Sequence, residues 1–218
     1  SWMLRDGDSL PGGWPQELLQ YGEVRRFDRR EAIHSQGEAG SEIHLLLRGK
    51  VLRSRACQSG VATVLDVHAR GSLVGVTSLL DGGHHPDTAQ AHTSCVTLAL
   101  RHQAFRTAIA RHPRAARLLD GQIGRRYRHD AALAASLATE RVETRIRALL
   151  VDLAERYAVH GDVRGMLLDL GLTRGELASL AGTTLETVVR TVNRLRDQGL
   201  LVTDGRRFFI PDLETLRP

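Results

Sequence analysis

The chain has 218 residues, 42% of them hydrophobic, and a formal net charge of +5. It is long enough to bury a substantial core, and we expect two domains rather than one. No apolar run approaches the ~20 residues of a membrane span, and residues 1–13 lack the basic-then-apolar order of a signal peptide, which predicts a cytoplasmic protein without a membrane partner. Residues 140–218 contain 12 arginines and 12 acidic residues, so the net charge of this segment gives only weak support for nucleic-acid binding.

Residues 22–100 consist of short apolar runs separated by turn residues. The runs are EVRRF, EAIH, IHLLLRGKVLRSRA, VATVLDVHA, SLV and CVTLALR. Regular spacing of this kind is typical of a β-sandwich or roll. Four histidines at strand or helix edges have no motif around them and are expected to be half exposed: His44, His68, His92 and His102.

The two cysteines, Cys57 and Cys95, show neither CxxC nor metal-ligand spacing. Reduced thiols are therefore expected, and a redox pair is the less favoured alternative. The spaced HxH and Glu pattern of metal-binding cupin enzymes is also absent from the sequence, which argues against an oxygenase. The chain is expected to be a regulator and not an enzyme.

Adjacent histidines, His84 and His85, follow the turn residues Asp81-Gly82-Gly83. Imidazoles ligate haem iron and transition metals, so a haem- or metal-dependent gas sensor is one hypothesis. The favoured alternative is a solvated loop, because adjacent histidines are common in glycine-rich loops and the sequence indicates no second ligand.

A short helix is predicted from Gln103 to Arg111, and Pro113 allows a longer one to begin. No proline interrupts Arg114 to Leu137, where apolar residues recur at near-heptad spacing. These residues are Leu119, Ile123, Tyr127, Ala131, Ala134 and Leu137. Such a stripe either pairs with a second copy of the helix or packs on the chain's own β-roll.

A hinge is expected at Leu137–Arg141, with Thr139 as a candidate cap for the following helix. That helix is predicted from Val142 to Tyr157, and a polar loop is predicted from His160 to Arg164.

The region from Leu172 to Gly199 has the pattern of a helix-turn-helix. Thr173 and Glu176 form a capping box, so a first helix is expected from Arg174 to Leu180, ended by Gly182. Thr183 or Thr184 caps the second helix, whose buried stripe is Val188, Val192 and Leu195.

Glu186 and Arg190 lie four residues apart on the polar face of the second helix. Arg190 is able to bind guanine O6 and N7 bidentately, and Glu186 to accept a hydrogen bond from cytosine N4. The alternative is an i, i+4 surface pair worth roughly 0.2–0.5 kcal/mol. The two capped helices favour the DNA hypothesis.

Two short apolar runs from Leu200 to Ile210 flank Asp204-Gly205, a dipeptide preferred in two-residue hairpin turns. This pattern predicts a wing, with Arg206 and Arg207 placed for phosphate contact. A solvated hairpin tip is the competing interpretation.

Glycine-marked strands in the first half carry a resemblance to a known family. Gly37, the strand Ile43–Leu47, Gly49, Gly71 and Gly75 resemble the jelly roll of the cyclic-nucleotide-binding domain. Together with the winged helix they make the chain similar to the catabolite activator (cyclic AMP receptor) protein and the fumarate and nitrate reduction regulator, the CRP/FNR family. The resemblance covers nearly the whole chain.

The resemblance implies an α+β fold with an N-terminal cyclic-nucleotide-binding-like β-roll (1–113), a dimerisation helix (114–139) and a C-terminal winged helix-turn-helix (140–218). It implies a homodimeric transcription regulator that binds a palindromic site on double-stranded DNA. The loop His160–Arg164 falls where that family contacts RNA polymerase.

The chain departs from the cyclic-AMP-binding members of that family. Val76 stands where they have a ribose-binding glutamate, and no arginine occurs between Arg70 and Arg101 to bind the phosphate. Loss of charge-assisted bonds worth roughly 1.5–3 kcal/mol each argues against cyclic AMP. The expected pocket for another small-molecule effector is Gly75, Val76, His84, His85, Arg126, Tyr127 and Asp130.

An iron-sulfur cluster is not expected, because the chain lacks the N-terminal cysteine group of the oxygen-sensing branch. An anion-binding or effector-independent regulator stays open as a further alternative.

The order of Thr184, Glu186, Thr187 and Arg190 resembles the fumarate and nitrate branch, which implies a GA step in each half-site. Val189 replaces a base-contacting serine of that branch. The residues expected to contact DNA are Thr173, Thr183, Thr184, Leu185, Glu186, Thr187, Val189, Arg190, Arg194, Arg206 and Arg207.

Overall fold

The computed structural model describes residues 10–56 and 62–218. These residues divide into two compact units, with the division between Arg128 and His129. Cys57 lies outside the described residues.

The first unit is a β-roll of two antiparallel sheets. Its strands are β1 (Glu23–Phe27), β2 (Ala32–His34), β3 (Glu42–Arg48), β4 (Val51–Ala56), β5 (Ala62–His68), β6 (Leu73–Val74), β7 (Thr88–Ala91) and β8 (Cys95–Arg101). One sheet has the strand order β1-β8-β3-β6 and the other β2-β7-β4-β5. The predicted roll is confirmed, and β7 is a strand that the apolar pattern did not indicate.

The core of the roll comes from the inward residues of the first sheet and from two aromatic side chains. Leu45 of β3 lies opposite Leu98 of β8, and both are fully buried. Trp14, in the segment before β1, contacts Phe105 of helix α2 (His102–Arg111) and donates to the carbonyl of Gly71. Short 3-10 helices at Pro11–Gly13 and Gln16–Tyr21 complete this end of the roll.

Cys95 is buried in a separate apolar cluster of the roll, together with Leu46, Val51 and Ala89. Its thiol donates to the carbonyls of Lys50 and Thr93. Burial raises the pKa of the thiol, which favours the reduced, protonated form.

Helix α1 (Val76–Asp81) precedes β7, and helix α3 runs from Pro113 to Thr139. The predicted cap at Thr139 is wrong. Its hydroxyl donates to the carbonyl of Ala135, within α3, whereas the residue before helix α4 (Val142–Tyr157) is Arg141. A threonine hydroxyl at a helix C-terminus bonds back to the preceding turn, so it is unavailable to cap the next helix.

The second unit contains a four-stranded antiparallel sheet and the helix pair. After α4 come β9 (Val159–Asp162), β10 (Gly165–Leu168), α5 (Arg174–Leu180), α6 (Leu185–Asp197), β11 (Val202–Asp204), β12 (Arg207–Ile210) and α7 (Leu213–Leu216). The sheet has the order β11-β12-β10-β9. The predicted loop at His160–Arg164 is therefore wrong, because this segment forms most of β9 and the turn into β10.

No helix within residues 10–56 and 62–218 has both the length and the apolar character needed to cross a membrane.

Candidate nucleic-acid interface

Helix α5 begins with the predicted capping box. The backbone N–H of Thr173 donates to a carboxylate oxygen of Glu176 at 2.6 Å, and the N–H of Glu176 donates to the Thr173 hydroxyl at 3.1 Å. Two N–H groups that a helix start leaves without partners are thereby satisfied. The observed range Arg174–Leu180 is the predicted one, which shows how strongly local hydrogen bonding fixes this boundary.

The turn between α5 and α6 depends on Gly182. Its φ of +60° lies in the left-handed region, where a side chain is strained. A Cβ at this position would also lie 2.5 Å from the Leu137 side chain. Glycine is therefore required both by the backbone conformation and by the close approach of Leu137.

Helix α6 is capped by Thr184, whose hydroxyl accepts from the backbone N–H of Thr187 at 3.3 Å. Of the two predicted caps, Thr184 is thus the one observed. Val188, Val192 and Leu195 form the buried stripe as predicted. Their burial fixes the rotation of α6 and turns its other face outward.

The outward face of α6 carries both polar and apolar side chains. Glu186, Arg190 and Asn193 are exposed, as are Leu185 and Val189. Within the described part of the chain, Glu186 and Arg190 form no ion pair with each other or with another residue. Hydrogen bonds from its own backbone N–H and from the Thr184 hydroxyl lower the pKa of Glu186, which keeps it ionised.

Arg194 has a protein partner, unlike Arg190. Its guanidinium lies 2.5 Å from the carboxylate of Glu143 on α4. Nothing in the sequence indicates this pair, because the two residues are 51 positions apart.

Arg145 is a residue of this region that the sequence analysis did not single out. It donates to the carbonyls of Ala181 and Gly182, at 3.2 and 3.1 Å, and to the carbonyl of Glu140 at 3.0 Å. It therefore ties the segment before α4 to the turn between α5 and α6. Only the tertiary structure brings these carbonyls to one guanidinium.

The predicted wing is the hairpin of β11 and β12, but its turn is shifted by one residue. Asp204 pairs with Arg207, so the central turn residues are Gly205 and Arg206 rather than Asp204 and Gly205. Gly205 has a φ of +59° at the first central position, where type II′ turns place glycine. Arg206 and Arg207 are exposed, and Arg207 lies 3.5 Å from Asp169.

The expected effector segment of the roll is more buried than the sequence indicated. Gly75, with a φ of +85°, precedes α1, and Val76 is the first residue of that helix. His84 is exposed, but His85 is buried and stacks on His34 with ring centroids 3.7 Å apart. The solvated-loop prediction is therefore wrong for His85. Burial and the neighbouring His34 lower the pKa of His85 to about 4.

The half-exposed state expected for the edge histidines is also wrong for two of them. His44 and His68 are buried, whereas His92 and His102 are partly exposed. His44 fits the core because its Nδ1 lies 3.1 Å from the Thr97 hydroxyl and its ring meets Phe27 edge-on. A buried polar ring needs such a partner, and a single sequence does not reveal it.

His85 and Arg126, two of the expected pocket residues, belong to one cluster around Asp87. Arg53, Arg126 and His34 all lie within 3.5 Å of the Asp87 carboxylate. Burial alone would raise the pKa of Asp87, but the contact with His34 and the charge of Arg53 outweigh it and lower the pKa. Tyr127, in contrast, is 74% exposed, and Asp130 is exposed as well.

A capped helix pair with a two-stranded wing defines a winged helix-turn-helix protein, a class that binds DNA. Residues 144–218 match the model of the Crp-like helix-turn-helix domain, and residues 24–112 match that of the cyclic nucleotide-binding domain. The chain belongs to the CRP/FNR family and is a DNA-binding transcription regulator of that type.

Similar proteins cover most of the chain. A CRP-like cAMP-activated global transcriptional regulator of Mycobacterium tuberculosis is 26% identical over 87% of this chain and 84% of its own length. The structure of FixK2 from Bradyrhizobium japonicum has a TM-score of 0.78 at 22% identity, covering 89% of this chain and 95% of its own. A CRP-family transcriptional regulator from Thermus thermophilus has a TM-score of 0.69 at 26% identity, over 88% and 94% of the two chains.

Proposed function

We propose that two copies of this chain bind a palindromic operator, with α6 of each copy in the major groove. The observation that carries this proposal is the outward face of α6, where an ionised Glu186 lies one helical turn from Arg190, which has no ion-pair partner among the described residues. Both side chains are free to contact base edges without first breaking an internal ion pair.

Base contacts come from four residues near the start of α6. Arg190 binds guanine O6 and N7, Glu186 accepts from cytosine N4, and the apolar Leu185 and Val189 contact thymine methyl groups. This set reads a GA step in each half-site.

Phosphate contacts come from hydroxyls and arginines around the base-reading residues. They are Thr173, Thr183, Thr184, Thr187, Arg194, Arg206 and Arg207. Arg194 must exchange its Glu143 partner for a phosphate, so it contributes less affinity than Arg206 at the exposed tip of the wing.

The homodimer forms along α3. Its second half presents Tyr127, Ala131, Ala134 and Leu137, all exposed in the single chain and spaced as in a coiled coil. A twofold pair of such helices places two α6 helices for half-sites one helical turn, about 34 Å, apart.

RNA polymerase is the proposed protein partner. The turn between β9 and β10 exposes Val163 fully, between Asp162 and Arg164, whose side chains pair at 2.7 Å. A turn with an exposed apolar tip suits contact with another protein. The protein acts in the cytoplasm, and it is a regulator rather than an enzyme.

The effector is a small molecule other than cyclic AMP. The tuberculosis relative is named as cAMP-activated, but here Val76 stands in place of the ribose-binding glutamate and no arginine between Arg70 and Arg101 is available for the phosphate. A haem- or metal-dependent sensor using His84 and His85 is the less favoured alternative. Within residues 10–56 and 62–218, no three His, Cys, Asp or Glu side chains are grouped to hold a metal ion.

Selection of bound sequences from random DNA tests the proposal. We expect Arg190→Ala to weaken operator binding by roughly 1–3 kcal/mol and to relax the preference at one base per half-site. Arg196→Ala is the matched control, because Arg196 is exposed on the same helix but pairs with Asp197 at its far end. An unchanged sequence preference in Arg190→Ala would overturn the assignment of that residue.

A further inference from the structure

The Asp87 carboxylate lies where two structural elements of the first unit meet. One of its oxygens is 2.9 Å from Arg53 of β4 and 3.5 Å from Arg126 of α3, and the other is 3.5 Å from His34 of β2. Asp87 and Arg53 are both buried. A charge in such a place is stable only when it is paired.

The formal charges of the cluster cancel. Asp66 lies directly across from Arg53 in the β4–β5 register, so it projects from the same face of the sheet, and it too is buried. Two arginines, Arg53 and Arg126, are therefore matched by two acidic residues, Asp66 and Asp87. The cluster needs no further anion to be neutral.

Helix α3 is attached to the roll by polar contacts at two positions one turn apart. The side chain of Gln122 accepts from the backbone N–H of Leu73 at 3.0 Å and donates to the carbonyl of Gly71 at 2.9 Å. Four residues later, Arg126 reaches Asp87. Both positions lie on the same helix face, so the two contacts fix the rotation of α3 against the roll.

We propose that Asp87 is a built-in counter-ion that joins Arg53 of β4 to Arg126 of α3 and holds this part of α3 against the roll with no bound anion. A site of this kind takes the place of an anionic effector, because the negative charge between the sheet and the helix belongs to the chain itself. The inference rests on the proposed function in one respect: it implies that operator binding does not depend on an added anionic ligand.

Hydrogen exchange of the full-length protein tests the contact directly. Asp87→Asn keeps the shape of the side chain and removes its charge, and it is expected to speed exchange of the backbone amides in residues 122–128 by about 10-fold, as loss of one charge-assisted bond implies. Arg126→Met is expected to do the same. Arg125→Met is the control, because Arg125 is an exposed arginine on the same helix.

A double variant with Asp87→Asn and Arg126→Met distinguishes a specific contact between these two residues from general destabilisation. If Asp87 acts through Arg126, the double variant exchanges no faster than the single variants. Additive effects, or exchange in Asp87→Asn equal to that of the wild-type protein, would overturn the inference.

Chemical rescue adds a second measurement. Asp87→Ala is expected to regain slow exchange in residues 122–128 in sodium acetate, but not in sodium chloride of the same ionic strength, because a carboxylate then occupies the vacated place. Equal response to the two salts contradicts the proposal.

Operator binding separates this inference from the proposed function. Wild-type protein that binds no DNA sequence selectively refutes the proposed function, while the exchange data still decide the role of Asp87. Wild-type protein that binds its operator selectively without an added anionic ligand, with Asp87→Asn about 10-fold weaker, supports both.

Discussion

His44 is a buried histidine in the middle of β3, and its environment makes the stability of the roll depend on pH. The side chain is 4% exposed, contacts Thr97 and Phe27, and forms no ion pair with a carboxylate of the described residues. Burial lowers the pKa of His44 from 6.5 to about 4. The negative charge of Glu42 opposes this shift, and the positive charge of Arg25 adds to it.

The direction of the pH dependence follows from how the folded and unfolded states bind a proton at His44. The unfolded chain takes up a proton at His44 near pH 6.5, whereas the folded chain resists it until about pH 4. The contribution of neutral, buried His44 to the free energy of unfolding is therefore fully present above pH 6.5 and is lost as the pH falls toward 4. One pKa unit corresponds to about 1.4 kcal/mol, so the full loss is about 3 kcal/mol, of which about 2 kcal/mol falls between pH 8 and pH 5.

Urea unfolding followed by tryptophan fluorescence measures this loss in the full chain. Trp2→Phe leaves Trp14, which is buried in the roll, as the single tryptophan. In that background, His44→Gln is expected to make the difference in unfolding free energy between pH 8 and pH 5 smaller by about 2 kcal/mol.

The control is Ile43→Val, a buried neighbour in β3 with no titratable group. It is expected to lower stability by about 1 kcal/mol equally at both pH values. If His44→Gln and Ile43→Val show the same difference between pH 8 and pH 5 as the parent protein, the reasoning about His44 is refuted.

Three further predictions concern the winged helix-turn-helix. Thr173→Ala removes the capping box and is expected to destabilise the second unit by about 1 kcal/mol in urea unfolding; Thr173→Ser should retain most of that stability, and equal loss in both variants would contradict the capping argument. Gly182→Ala is expected to weaken operator binding strongly in a gel-shift assay, because alanine is strained at a φ of +60° and contacts Leu137; wild-type affinity would show that the turn tolerates a side chain. Arg206→Ala is expected to weaken binding to all DNA sequences alike and to reduce the slope of log affinity against log salt by about 1, while a changed base preference would instead assign Arg206 to base reading.

The first helix of the helix-turn-helix was predictable to the residue because its boundaries are set by local chemistry, whereas the start of the second was predicted only to within one residue. The Thr173 and Glu176 side chains form hydrogen bonds within one helical turn. Gly182 has a positive φ in the turn after α5, a conformation that favours glycine. Helix α4 was also predicted with the observed ends, although the cap predicted for it at Thr139 was wrong.

Elements that depend on pairing partners were missed. The strand β7 has too few large apolar residues to be recognised, and it forms because β2 and β4 hydrogen-bond to it on both sides. Most of β9 and the turn into β10 looked like a polar loop, because β9 is fully exposed and is held by its pairing with β10. Hydrogen-bond partners distant in sequence decide such segments, and local propensity does not contain them.

The sequence alone determined the class of protein, the polarity of α6 and the absence of a phosphate-binding arginine in the effector segment, because spacing and residue type suffice for these. The tertiary structure decided which charged groups are paired and which are left to face solvent. Arg190 and Arg194 look alike in the sequence, yet of these two it is Arg194 that meets a carboxylate, from α4. Nothing in the sequence indicates partners for Asp87, but folding surrounds it with Arg53, Arg126 and His34, since electrostatic interactions depend on distances in space that sequence separation does not give.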